Sequence, residues 1–251
     1  MLTTSGTPQL SYIAEGKGSL VIMLHGLLMD GKSWRNNGFI SLFSPFFHVV
    51  CPDLLGHGKS DKQPVPELYT QQNQALSIVK IMDELGYEKA HVIGYSSGAW
   101  AALGLLNHHP KRLHSVVLGG WDLKNGLPET PEGKLSFDMF MSYAASTAPE
   151  LTSGLSLNDK ESIRLFFNEL GKYSDKKEAL FPYQTPILLW AGASDPYNSA
   201  MGDIAQQYGL SMILGKGDHL SEFNNPDKAS INEIFRFFEM QEGLMTSVAC
   251  S

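Results

Sequence analysis

Cysteine is scarce in this chain of 251 residues: only Cys51 and Cys250 are present, one before a proline and one beside the C-terminus. Two such positions build neither a disulfide framework nor a cysteine-based zinc site, so a reducing compartment is the expectation. Basic charge is also short. Nineteen Lys and Arg against 26 Asp and Glu leave a net charge of −7, which argues against electrostatic binding of nucleic acid and against a polybasic membrane anchor. No uninterrupted run of about 18 apolar residues occurs, and Met1 to Gly6 lack the basic-then-apolar order of a secretory leader. A cytoplasmic protein without a membrane span, acting on a small or neutral molecule, is the expectation. Internal repeats, low-complexity tracts and a G-x-G-x-x-G at a strand end are missing too, which excludes repeat architectures and the dinucleotide fingerprint. Nothing bears on the oligomeric state.

What is present is a composition of 43% hydrophobic and 18% charged residues, enough for one sizeable core. Short β-branched runs recur at Leu20 to Leu24, His48 to Cys51, His91 to Tyr95, Ser115 to Leu118, Pro186 to Trp190 and Leu210 to Leu214. Helical spacing fills Tyr69 to Gly86, Ala99 to Asn107 and Ile231 to Met240. Alternating strands and helices predict an α/β fold, with a mostly parallel central sheet flanked by helices. The rhythm breaks once. From about Trp121 to Pro182 two helix-like stretches, Leu135 to Ala145 and Asn158 to Leu170, follow one another, the second with Asn158 and Glu161 as a capping pair. The expected division is a core of residues 1–121 and 183–251 with a helical cap of 122–182, too short for a second core. Pro64-Val65-Pro66 reads as a surface loop and Gly243 to Ser251 as a frayed tail.

The strongest chemical signal is Gly94-Tyr95-Ser96-Ser97-Gly98, directly after one strand and directly before a helix. A serine hydroxyl is a poor nucleophile. A tight strand-to-helix turn exposes its oxygen and aims the helix N-terminal amides at the carbonyl it attacks, and glycines two before and two after permit that turn. The bland alternative is a helix start that happens to use serine and glycine. At this pentapeptide the chain resembles the α/β-hydrolase family of serine hydrolases, and further motifs carry the resemblance. His25-Gly26 after the first strand looks like the family's oxyanion loop, and Asp53-Leu54-Leu55-Gly56-His57-Gly58-Lys59-Ser60 is similar to its D-x-x-G-x-G-x-S turn. In element order the resemblance runs from about Leu20 to Met240, with Trp121 to Pro182 standing where the family inserts its cap.

What the resemblance implies is a Ser-His-Asp triad. Family order places the acid after the serine and the base last, which selects Asp195 in Ala191-Gly192-Ala193-Ser194-Asp195-Pro196 and His219 in Gly215-Lys216-Gly217-Asp218-His219. The implied oxyanion donors are the amides of Leu27 and Ser97. Asp122, after the preceding strand, is the rival acid. Asp218 points elsewhere if its turn is tight. His25 reads as a brace for the oxyanion loop, and the remaining histidines read as surface or packing residues. The apolar cap residues suggest a greasy pocket near Leu28, Trp100, Phe140 and Phe166, although Phe137, Met139, Phe140, Met141, Tyr143, Phe166 and Phe167 are expected mainly to form the cap's own packing face.

A competing motif is Gly26-Leu27-Leu28-Met29-Asp30-Gly31-Lys32-Ser33, which satisfies the P-loop pattern G-x-x-x-x-G-K-S. Its variable positions are bulky and one is acidic, poor choices beside a phosphate. A P-loop would also leave the serine turn, Asp195 and His219 without a role. The expected function is therefore cleavage of a carboxylic ester, or a related acyl bond, of a small apolar substrate, with neither metal nor organic cofactor. Rival expectations on the same scaffold are a C–C bond hydrolase, lactonase, thioesterase or lyase, and a hydrolase-like sensor whose cap signals to a partner with little turnover.

Overall fold

The computed structural model describes residues 1–173 and 184–243. Cys250, the tail after Gly243 and the expected boundary at 182/183 lie outside the described residues. Ten strands are described: β1 (Leu2–Thr3), β2 (Ser11–Glu15), β3 (Leu20–Leu24), β4 (His48–Pro52), β5 (Ala90–Tyr95), β6 (Leu113–Gly119), β7 (Glu129–Thr130), β8 (Gly133–Lys134), β9 (Ile187–Gly192) and β10 (Ser211–Gly215). The helices are α1 (Ser33–Asn36), α2 (Phe39–Phe43), α3 (Gln71–Glu84), α4 (Ser97–His108), α5 (Phe137–Thr147), α6 (Leu157–Gly171), α7 (Asn198–Tyr208), α8 (His219–Asn224) and α9 (Lys228–Gln241). Eight strands form one sheet in the order β1-β2-β4-β3-β5-β6-β9-β10, and β7 and β8 form a separate hairpin. All six expected strands are present within one to two residues at each end.

The pairings from β4 through β10 are parallel, while β1 and β2 add an antiparallel edge that the sequence reading lacked. Parallel strands covered on both faces must be apolar at every position, and β3 and β5 are buried throughout. Alternation then sorts their side chains into two layers. Ile22, Leu24, Val92, Val116 and Leu189 join the core under α3 and α4. Val21, Met23, Ile93, Val117 and Trp190 face Phe39, Phe43, Phe223 and Phe238 of the opposite helices. Each such side chain contributes about 1.5–3 kcal/mol by leaving water. A one-residue slip of β3 would exchange the two sets and ruin both layers. No helix among the described residues is long and apolar enough to cross a membrane.

The chain leaves the sheet after Gly119 and rejoins it at Ile187, and the intervening segment carries α5 and α6. Both helices begin one or two residues away from their expected starts. Helix α6 is capped by Ser156, which accepts from the Asp159 amide while the Asp159 side chain accepts from the Ser156 amide. The pair Asn158 and Glu161 is therefore inside the helix. The short serine side chain, reaching the third amide, fixes the start two residues earlier. Phe166 seats this segment on the core, with its ring 5.3 Å from Trp100 and 5.1 Å from His57. Phe137 and Phe140 both pack on Phe167, which bridges α5 to α6.

Candidate functional site

Strand β5 delivers Ser96 at the edge where the parallel strands end, the usual place for ligands in open α/β sheets. Its backbone is held at φ +56°, ψ −121°, a region a non-glycine residue occupies only under constraint. The constraint is visible on both sides. The Ser96 amide donates to Gly119 O at 2.8 Å and its carbonyl accepts from the Ala99 and Trp100 amides, so β6 and the first turn of α4 grip the residue between them. A Cβ on Gly94 would overlap the backbone of Gly98, and one on Gly98 would overlap Leu24 O, so only glycine fits at either place.

Two other strand ends bring the partners. Asp195 lies just beyond β9 and His219 begins α8 beyond β10. The Ser96 hydroxyl is 3.1 Å from His219 Nε2, and His219 Nδ1 is 2.8 Å from Asp195 Oδ2. With a carboxylate at Nδ1, that nitrogen carries the ring proton and Nε2 is free to accept from the hydroxyl. Asp195 is further fixed by the Tyr197 amide, which donates to Oδ1 at 2.9 Å. Asp122 does not reach the imidazole. Its carboxylate accepts from the amides of Lys124 and Asn125 and from Asn125 Nδ2, closing its own turn. Asp218 likewise caps α8 by accepting from Leu220 and Ser221, which hold its carboxyl below the usual range.

Tyr95, which the sequence reading passed over, lies beneath the histidine. Its hydroxyl donates to His219 O at 2.8 Å and lies 3.3 Å from Asp195 Oδ2. Burial, with the charge of Asp195 added, drives its pKa well above that of a free tyrosine, so it remains a donor. Tyr197 packs edge-on against the His219 ring at 5.5 Å, and burial raises its pKa as well. Tyr95 ends β5 and Tyr197 stands just before α7, and the spacing of neither gives a hint of this use.

The His25 ring braces the neighbouring loop. Its Nε2 accepts from the Leu54 amide at 2.9 Å, which leaves Nδ1 to donate to Gly26 O at 2.8 Å. Full burial lowers its pKa and keeps it neutral. Leu27 follows, and among the described residues neither its amide nor that of Ser97 donates to another backbone group. The P-loop reading fails here. The Gly31 and Lys32 amides donate to the carboxylates of Asp53 and Asp30, so the donors a phosphate would need already face negative charge. The helix that follows has only four residues. Asp53 also accepts from the Lys59 amide, which gives the 53–60 turn a structural role.

Ser96 and His219 open into a small cavity of about 90 Å³. One wall is the loop Gly26 to Met29; the other is α5, through Phe140, Tyr143, Ala144 and Thr147, with Ala148 just after it, and Leu151 and Leu220 also line the cavity. Among the described residues no Lys, Arg, Asp or Glu side chain lines it. Leu28 and Phe140 are where the sequence reading placed them. Trp100 and Phe166 are not: they pack on each other, buried, and line no part of the cavity. The helix after the serine turn runs back along the sheet, so a residue one turn into it faces the flanking layer and not the mouth. The lining residues Phe140, Tyr143, Ala144 and Thr147 recur every three or four positions on one face of α5.

This order of strands and turns is matched from outside. The family model described as "alpha/beta hydrolase fold" matches residues 19–158, more than half of the chain. The chain belongs to the alpha/beta hydrolase fold family. Within this family it is 33% identical over 132 residues to the protein named "Putative carbamate hydrolase RutD" of Caulobacter vibrioides, covering 52% of this chain and 46% of that one. It is 33% identical over 144 residues to 2-hydroxy-6-oxo-6-phenylhexa-2,4-dienoate hydrolase of Burkholderia cepacia, covering 54% and 49%. The chain spans about half the length of the curated relatives it matches. Among solved structures, a thermophilic esterase of Thermogutta terrifontis superposes with a TM-score of 0.74 over 96% of this chain and 98% of that one. At 19% identity that likeness speaks for the fold alone.

Proposed function

We propose that this alpha/beta hydrolase cleaves a carboxylic ester, or a closely related acyl bond, of a small apolar substrate through an acyl-enzyme. The observation that carries the reading is the unbroken chain Ser96 Oγ, His219 Nε2, His219 Nδ1, Asp195 Oδ2 at the mouth of a cavity whose described lining carries no Lys, Arg, Asp or Glu. His219 takes the serine proton as Ser96 Oγ bonds to the carbonyl carbon. Asp195 holds the tautomer and stabilises the imidazolium. The amides of Leu27 and Ser97 receive the negative oxygen. Collapse expels the alcohol, which takes the proton from His219. Water then attacks the acyl group with His219 as base again, releasing the acid and restoring the serine. In this reading residues 122–182 are a cap whose α5 supplies the acyl-facing wall, the core being 1–121 and 183–251.

The relative from Burkholderia cepacia acts, by its name, on a dienoate, a carboxylate-bearing molecule. Among the described residues the cavity has no cationic side chain to receive such a group, which supports a neutral acyl substrate. The test is labelling with a fluorophosphonate followed by turnover of p-nitrophenyl esters of graded chain length. Label on Ser96 with many turnovers per site supports the reading. A single acylation event without turnover would favour a ligand sensor instead, and absence of label on Ser96 would end the proposal.

A further inference from the structure

On the side of His219 away from the cavity lies a second carboxylate, which the proposed reaction does not use. Glu222 is one turn after His219 on α8 and only 2% exposed. Its Oε1 accepts from Trp190 Nε1 at 2.7 Å and its Oε2 from the Gly217 amide at 3.1 Å. Trp190 is near the end of β9, which carries Asp195; Gly217 is in the turn that carries His219. One side chain thus ties the strand end bearing the acid to the turn bearing the base. The fit is close, because a Cβ on Gly215 would overlap the Glu222 carboxyl group. Trp190 also packs on Tyr95 at 4.9 Å, and Tyr95 in turn holds the His219 carbonyl.

Burying a carboxylate is costly, and two neutral donors offset that cost only in part. A fixed negative charge one helical turn from an imidazole is, however, useful to a ring that must become a cation. We propose that Glu222 is a positioning residue for His219: its carboxylate clamps the two strand ends in register and adds negative potential that favours the imidazolium. This rests on the reading above, in which His219 is the general base. The other titratable groups facing the ring are Asp195 and Tyr197 from the turn after β9, Tyr95 from β5, and Asp218 beside it. Lys216 is turned outward and pairs with Asp227 at 3.6 Å.

The experiment compares the wild-type protein with Glu222→Gln, which keeps shape and one acceptor but removes the charge. Two readouts are taken: ester kinetics as a function of pH, and the His219 ring resonances by NMR. The expected result is a fall in kcat of about ten- to a hundredfold with KM nearly unchanged, as for a displaced reacting group. The His219 titration and the acid limb of kcat/KM should move down together by about one pH unit, because a lost negative charge disfavours the cation. If Glu222→Gln fails to fold, Trp190→Phe cuts one arm of the clamp and keeps the charge; kcat should then fall about three- to tenfold with the His219 titration in place. An unmoved His219 titration together with unchanged kcat in Glu222→Gln would overturn the proposal. Because the NMR titration needs no turnover, a wild-type protein that leaves esters intact would count against the ester reading, while a shifted ring in Glu222→Gln would still uphold the influence of the Glu222 charge on His219.

Discussion

The same sheet holds two chains of serine, histidine and carboxylate, one at each end of β5. At the C-terminal end stand Ser96, His219 and Asp195. At the other end, about 16 Å away by strand rise, the Ser115 hydroxyl is 2.7 Å from His91 Nδ1, and His91 Nε2 is 2.8 Å from Glu242. The contacts are equally good, yet the burial runs in opposite directions. In the first chain the acid side chain is sealed at 0% exposure and the histidine is 25% exposed toward the cavity. In the second the histidine is sealed at 0% and the acid is 20% exposed, with Ser115 locked inside β6. The ring nitrogens are also reversed, since Ser115 meets Nδ1. Ser115 has neither a strained backbone nor a cavity, and a carbonyl cannot approach it. Three residue types in contact are therefore a fastener in one place and a candidate reaction centre in the other. What separates them is which member faces open space.

The largest effect expected from this contrast comes from the two serines. Ser96→Ala should lower kcat on a p-nitrophenyl ester by about a thousandfold or more with an unchanged thermal melt, whereas Ser115→Ala should leave kcat within about twofold. A comparable loss of kcat in both variants would erase the distinction. Next in size is stability. His91→Ala takes the ring partner from Ser115, leaves Glu242 with Ser19 Oγ alone and opens a cavity, so unfolding in urea should show a loss of about 2–4 kcal/mol with the surviving activity intact.

The histidines that are not at the proposed site should also set the acid sensitivity. Burial lowers His57 to about 3 and His91 to about 4. In the unfolded chain both rings take up a proton near pH 6.5. The unfolded state therefore binds more protons between about pH 6.5 and 4, and stability must fall as pH falls through that window. Urea midpoints at pH 7 and pH 5 measure the drop, and His57→Gln should flatten it. The smallest effect concerns the cavity. Ala148→Phe, just after α5, should move the preferred acyl chain to shorter lengths, by about tenfold in the kcat/KM ratio of an eight-carbon to a two-carbon ester, without altering the pH profile.

Legibility followed the range of the interaction involved. The strands of the parallel sheet could be read because a strand buried on both faces must be apolar at every position. The turn at Gly94 to Gly98 could be read because its glycines answer a local steric demand. The edge strands β1 and β2 were missed: β1 has two exposed residues and β2 mixes serine, alanine and glutamate, so neither carries the run of a buried strand. The four expected pocket residues divide by placement. Leu28 and Phe140 point into the cavity, whereas the orientation of Trp100 and Phe166 depends on how α4 and α6 pack. Tyr95 and Glu222 left no trace in the spacing, because their partners lie 124 and 32 residues away in the chain.

The amino-acid order by itself determined the layered α/β plan and the serine turn, since each follows from local sterics or from the burial of contiguous residues; the order of acid and base was implied only by the family resemblance. Only the tertiary structure decided that Asp195 and not Asp122 meets His219, that α5 and not Trp100 lines the cavity, and which of two serine-histidine-carboxylate chains opens to a ligand. Those outcomes depend on distances between residues far apart in sequence and on where solvent can reach, and both exist only once the layers have packed.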